Sequence, residues 1–478
     1  MRVFTFFVLI FSGFIPELRA TAVAPEALLI LTGDQHSAYE RTAQMVAMVD
    51  RLKAEHPGLP LAILLNGDTL EYGNIVARRS AGAVDFAMFA ALARRAPTVV
   101  NVGNHEPEFY DLAETVARLQ ATGVTVITNI TNRATGRLFA PPSTRIRLGA
   151  AEAVVVGVTT DSLATYRVAV RPSLDLADPV VWARANFPKL LEVERLDPKA
   201  LNDTRGGEKR VEGNALHPGS SSPLPIVLSH AGIKADRAML PLVPPGTLFA
   251  GAHDHQRFVH PFDHGVYVHS GSWNEYLTLA WLYREATGAP RWEVEQVHLA
   301  ADGPADPELA ALITATRQKY LTPEDTAVIA HLPAALDPPA AARRVVGALR
   351  AAAGVDAAFV GNTTFGGGLP AGGVSREQFD SCVRFDGTIF TAEVDGARLR
   401  QLLAAANLGP DTPFEQRQGE FSFADGPAEI DPAQTYRIAT TDWGARNTAR
   451  YFGEPAIAWR EQPGLKLKAA VRSVLARP

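Results

Sequence analysis

Five times between residues 27 and 255, a short apolar run of β type gives way at once to a cluster of Asp, Asn or His. The runs are residues 27–31, 61–65, 98–100, 225–228 and 247–250. The clusters after them are Asp34-Gln35-His36, Asn66-Gly67-Asp68, Asn101-Val102-Gly103-Asn104-His105-Glu106-Pro107-Glu108, Ser229-His230-Ala231-Gly232 and Gly251-Ala252-His253-Asp254-His255. Helical patterns separate the first three runs, one through Ala43, Val46, Val49 and Leu52 and one over residues 84–94. That alternation predicts a layered α/β domain with its polar clusters gathered at the strand exits, where ligands collect in open α/β sheets.

Further on, residues 111–120 read as a helix and 124–128 and 154–158 as strands. Residues 161–222 are irregular, rich in Pro, Gly and charge, and part of them reads as a surface insertion. Residues 266–269 and 278–283 read as closing strands. The pattern breaks near Ala300-Ala301-Asp302-Gly303-Pro304, and a helix over 307–320 follows. From about residue 326 a second α/β region begins, with an Ala-rich helix over 339–353, a glycine-rich loop over 362–373, a helix over 396–406 and a strand over 436–440 that opens into Thr441-Asp442-Trp443.

The chain has 478 residues, 47% of them hydrophobic, and a formal net charge of −5, so no basic excess points to a nucleic acid polymer as partner. Met1-Arg2, an apolar stretch over 3–15 and Ala20-Thr21-Ala22 fit a signal peptide over residues 1–22. The expectation is a periplasmic or secreted protein with no stable membrane span once that segment is removed. Cys382 is the only cysteine, so no internal disulfide forms. Beside Val383 and Phe385 it reads as a buried, inert thiol.

Taken singly, each cluster has an ordinary reading. Asp34 can cap a helix, Asp68 can sit in a turn and His230 can be a satisfied core histidine. Their recurrence at successive strand exits favours one shared site. Two carboxylates, an amide oxygen and several imidazoles suit zinc, manganese or iron better than calcium or copper. On extended backbone the members of Asp34-x-His36 and His253-x-His255 point to one face, within reach of one ion or two close ions, and Asp68 is placed to bridge.

The order Asp-x-His, Gly-Asp, Gly-Asn-His-Glu, His, His-x-His resembles the calcineurin-like metallophosphoesterase superfamily over residues 27 to about 285. The second region resembles the C-terminal domain of the 5′-nucleotidase/UDP-sugar hydrolase family at Asn362-Thr363-Thr364-Phe365-Gly366-Gly367-Gly368-Leu369-Pro370-Ala371-Gly372, at Val383-Arg384-Phe385-Asp386 and at Tyr436-Arg437-Ile438-Ala439-Thr440-Thr441. The resemblance implies an α/β fold, with a sandwich of two mixed β-sheets flanked by helices over 23–300, a linker helix within 301–325 and a smaller α/β substrate domain over 326–478. It implies two divalent metal ions, one held by Asp34, His36 and His255 and one by Asn104, His230 and His253, with Asp68 between them. His105 would then act on the phosphate or the leaving oxygen, oriented by Glu108. The family's loop arginine for phosphate falls at Gly366. Trp443 stands where the family stacks a ring on the nucleobase, with Phe421 (or Phe423) opposite; core packing is the other reading of these rings. The activity implied is hydrolysis of nucleotides or related small phosphate esters by attack of a metal-bound hydroxide, at a site between the domains. The alternatives are a same-fold hydrolase of a non-nucleotide substrate, similar to the thiosulfohydrolases, and a non-catalytic exported binding protein.

Overall fold

The computed structural model describes residues 24–191, 223–285 and 288–475. The expected signal peptide and residues 192–222 of the expected insertion lie outside them. Among the described residues no helix is long and apolar enough to cross a membrane.

The amino-terminal part is built on two six-stranded mixed sheets. In the first, Ala27–Thr32, Leu61–Asn66, Thr98–Asn101 and Thr125–Ile127 run parallel, and Tyr276–Arg284 and Pro290–His298 extend it antiparallel. In the second, Ala151–Thr159, Leu224–His230, Thr247–Gly251 and Gly265–Ser270 run parallel, with antiparallel edges at Ser143–Leu148 and Arg257–Phe262. The parallel strands read as unbroken apolar runs because both of their faces are buried. Leu29 and Leu31 face the other sheet in a core shared with Ile226, Leu228 and Leu248. Leu28 and Ile30 face the helices Tyr39–Glu55 and Ala83–Ala93 instead. The second sheet buries its outer face under Pro179–Leu190 and Ile233–Met239 through Phe187 and Ile233. Residues 179–190, inside the irregular stretch of which part was expected to be a surface insertion, are core-packed. The expected linker helix, Pro307–Tyr320, sets Leu309 into the helical core beside Val46.

Two amides join the sheets at their carboxyl ends. Asn66 Nδ2 donates to Ser229 O and Ala250 O, each at 2.9 Å. Asn101 Nδ2 donates to Asn66 Oδ1, Val158 O and Leu228 O, each at 3.0 Å. Buried polar groups satisfied in this way fix one register of sheet against sheet. That brings the strand exits of both sheets to one rim.

The carboxy-terminal part carries a five-stranded sheet, ordered Ser422–Asp425, Ala357–Gly361, Thr435–Thr441, Thr388–Asp395, Arg460–Lys466. Helices Pro338–Ala353 and Leu467–Leu475 pack on one face and Gly396–Ala404 on the other. Cys382 is buried in this core, and burial pushes its thiol up to about 12, in keeping with an inert role.

Candidate metal centre and cleft

The strand exits converge through turns rather than along strands. Asp34, His36, Asp68, His253 and His255 all have positive φ, between 49° and 81°. The expected extended-backbone geometry for the Asp-x-His and His-x-His pairs is thus replaced by left-handed turns, which re-aim each side chain into a common point. Such conformations cost roughly 1–3 kcal/mol each for non-glycine residues and survive where the surroundings over-determine them. The helix after Asp34 is capped at Ala38 without a side-chain hydrogen bond, so Asp34 does not serve as its cap. Glu106, buried, ties the central turns together by accepting from Gly103 N at 2.6 Å, Thr69 N at 2.8 Å and Asp68 N at 3.0 Å. Gly103 and Gly67 allow the close approach, since a Cβ on Gly103 would collide with Asp68 Oδ1 and one on Gly67 would lie 2.6 Å from His230 Nδ1.

His36 Nε2 and His255 Nε2 face each other at 2.8 Å, and each lies 3.9 Å from Asp34 Oδ1. His230 Nε2 lies 3.0 Å from Asp68 Oδ2 and 3.8 Å from the same Asp34 oxygen. Asp34 also accepts from His253 N at 2.9 and 3.1 Å, which couples the first strand of one sheet to a strand exit of the other. The potential ligand atoms fall into groups within 4.8 Å of one another: Asp34, His36 and His255; Asp68, His230 and His253; and His36, Glu71 and His105. Asn104 Oδ1 and His255 Nδ1 are buried and have no hydrogen-bond partner among the described residues.

Burial, then His105, lowers His36 well below the usual histidine range; burial also lowers His253 and His255. Burial likewise opposes the charged form of His230, but Asp68 outweighs it and pushes His230 up to about 10. Asp68 answers in kind: against its own burial, His230 and His105 hold it well below the usual carboxylate range. Asp34 is raised by burial. His105 is raised against its burial by Asp68, Glu108 and Glu71. The donor chemistry fits divalent cations. His36 and His255, both lowered, turn their nitrogens toward each other and toward Asp34, and His230 faces Asp68 and Asp34, in a buried site where unpaired charge is costly.

The sequence reading missed Glu71. Its Oε2 is 3.1 Å from His36 Nδ1 and 3.9 Å from His105 Nδ1. A proton on His36 Nδ1 shared with Glu71 leaves Nε2 as a lone pair toward the centre, the usual second partner of a ligating histidine. Glu71 lies three residues beyond Asp68 in the same turn, and that proximity was the available signal. Glu108 Oε1 lies 2.9 Å from His105 Nδ1, and His105 N donates to Asp68 Oδ1 at 2.7 Å.

A cleft of about 300 Å³ opens between this centre and the carboxy-terminal part. His36, Asp68, Asn104, His105, His253 and His255 line one side of it; Thr363, Phe385, Glu420, Asp442 and Trp443 are on the other. Asp34 and His230, 1% and 0% exposed, lie beneath. Trp443 reaches the cleft, with Nε1 donating to Tyr451 Oη at 3.1 Å. Phe421 does not reach it: its ring packs 5.2 Å from Phe423 and lines a neighbouring cavity with Trp273 and Arg417. The expected pair of stacking rings is therefore split between two cavities. Near Gly366, which stands in place of the arginine of the resembled loop, lies the side chain of Arg384; a Cβ on Gly366 would come within 2.7 Å of its Nε. That guanidinium sits 4.3 Å over the Trp273 ring, 2% exposed, and does not line the cleft.

No family model matches the chain, and no curated protein matches it in sequence. Solved structures do match it in fold. A 5′-nucleotidase precursor from Thermus thermophilus is 17% identical with a TM-score of 0.59, over 94% of this chain and 96% of its own. The sulfate thiohydrolase SoxB of Thermus thermophilus is 14% identical with a TM-score of 0.61, over 95% and 94%. A 5′-nucleotidase from Candida albicans is 12% identical with a TM-score of 0.56, over 95% and 98%. Along nearly its whole length, the chain has the α/β fold shared by these 5′-nucleotidases and SoxB.

Proposed function

We propose that the protein is an exported, divalent-metal-dependent phosphoric ester hydrolase acting on small phosphate esters, nucleotides among them. The observation that carries this reading is the meeting of His36 Nε2, His255 Nε2 and His230 Nε2 around Asp34 Oδ1, with Asp68 3.0 Å from His230 Nε2, along one side of a cleft and just beneath it. Asp34, His36 and His255 would hold one ion and Asn104, His230 and His253 a second, with Asp68 facing both. Bound there, such ions supply Lewis acidity toward a phosphoryl oxygen and toward the attacking water. Glu71 fixes the tautomer of His36, and Asn66 O, 2.8 Å from His230 Nδ1, does the same for His230. His105, held through Nδ1 by Glu108, stands at the cleft wall to stabilise negative charge on the phosphate or to protonate the leaving oxygen.

A second reading is favoured by Gly366 and by the fold shared with SoxB: a hydrolase of a sulfur ester. The test is to load the purified protein with Mn²⁺, Zn²⁺ or Fe²⁺, measure metal content, and assay nucleotides, sugar nucleotides, an aryl phosphate and an S-sulfonated cysteine. Turnover of phosphate esters is expected. Turnover of the sulfur ester alone would establish the second reading. Less than one tightly bound metal per chain and no turnover would leave a binding protein.

A further inference from the structure

The cleft has two chemically different sides. Opposite the histidines stand three threonines (Thr363, Thr364 and Thr441), three carboxylates (Asp386, Glu420 and Asp442) and the rings of Phe385 and Trp443. Among the described residues, no lysine or arginine lines it. The nearby cations are engaged elsewhere. Arg450 pairs with Glu420 at 2.8 Å and faces the next cavity. Arg446 pairs with Asp442 at 3.3 Å from an exposed position. Lys468 Nζ pairs with Asp380 at 2.9 Å. Arg384 lies over Trp273, its guanidinium nitrogens buried without a hydrogen-bond partner among the described residues, and stays off the cleft lining. Asp386 receives only backbone donors, Gly387 N and Lys468 N, each at 3.0 Å, which leaves acceptor capacity over.

Building on the hydrolase reading, we propose that this cleft takes monophosphate esters of hydroxylated or amine-bearing alcohols and rejects esters that carry a second anionic group. The phosphoryl group goes to the histidine side. The leaving alcohol then lies against the carboxylates and hydroxyls, which accept from O–H and N–H donors in charge-assisted bonds. A second phosphate or carboxylate there meets like charge and loses its hydration without a replacement partner. Phe385 and Trp443 add apolar surface for the carbon skeleton and do not alter the charge preference.

The test uses the full metal-loaded chain and esters of similar size: ethanolamine phosphate, glycerol 3-phosphate and 2-phosphoglycolate, with an aryl phosphate as reference. The expected order of kcat/KM is amine, then polyol, then carboxylate, with at least tenfold between the ends, about 1.4 kcal/mol of discrimination. AMP should likewise exceed ADP. The double substitution Asp386→Asn, Asp442→Asn keeps the shape of the wall and removes two charges, so the spread should fall below threefold. Hydrolysis of the aryl phosphate with no charge order among the others, or an unchanged spread in the double variant, overturns the proposal and leaves the hydrolase reading standing. Turnover of no ester at all overturns both.

Discussion

The two sides of the cleft are built by different means. On the histidine side, eight of the ten described non-glycine residues with positive φ cluster at the strand exits: Asp34, His36, Ser37, Asp68, His253, His255, Trp273 and Asn274. The opposite side has none among Thr363, Phe385, Glu420, Asp442 and Trp443. Backbone strain is thus concentrated where ligand atoms must meet within a few ångströms, and two buried amides and Glu106 hold it in place. The other wall is relaxed backbone carrying exposed or half-buried side chains around the buried Glu420, Thr364 and Thr441. On the proposed reading, one side would be shaped for a fixed chemistry and the other for choosing what is presented to it.

That contrast can be broken at either side. The largest effect is expected from Asp68→Ala, which removes the carboxylate proposed to face both ions; metal content and turnover should both be lost, checked by elemental analysis and assay. His105→Ala should lower kcat by roughly 10²–10⁴-fold for every substrate while leaving metal content nearly unchanged. If metal left with it, His105 would belong among the ligands. Glu71→Gln should weaken metal binding by about 10–100-fold, read by chelator competition, with activity recovering at high metal concentration. On the other wall, Trp443→Ala should raise KM rather than lower kcat, by an amount worth about 1–3 kcal/mol for a nucleoside substrate and little for glycerol 3-phosphate.

A smaller effect comes from the helical layer on the same side of the molecule, where Asp85 lies on the helix Ala83–Ala93. Asp85 accepts from Tyr39 Oη at 2.6 Å, and burial pushes it up to about 7 from its ordinary 3.8. A carboxyl raised in the folded state binds more protons folded than unfolded between those values. Its contribution to stability is full below 3.8 and is lost as pH rises through about 7. Relative to Asp85→Asn, the native chain should therefore lose stability on going from about pH 4 to about pH 7, by no more than about 1.4 kcal/mol per pH unit in denaturant titrations.

The histidine side was legible in sequence because its signals repeat. Each ligand-type cluster follows an apolar run, and Asp34, His36, Asp68, Asn104, His105, His230, His253 and His255 do come together. What periodicity did not carry was the manner of their meeting, since the left-handed turns depend on hydrogen bonds from Glu106 and on contacts across the two sheets. The far wall was hidden for a different reason. Asp386, Glu420 and Asp442 come from three separate segments around the second part's sheet, with no shared spacing, and only tertiary packing gathers them. Phe421 and Phe423 illustrate the limit: neighbouring aromatics at plausible positions pack on each other and leave the cleft to Trp443 and Phe385.

The ligand-type residues do not belong to one layer. Asp34, Asp68 and Asn104 follow strands of the first sheet, and His230 and His253 come from strands of the second or just beyond them. A cation held between them would rivet the layers of the sandwich, a cross-link that a chain with a single cysteine has no sulfur to make. Catalytic competence and resistance to unfolding would then rise and fall together as ions are gained or stripped away.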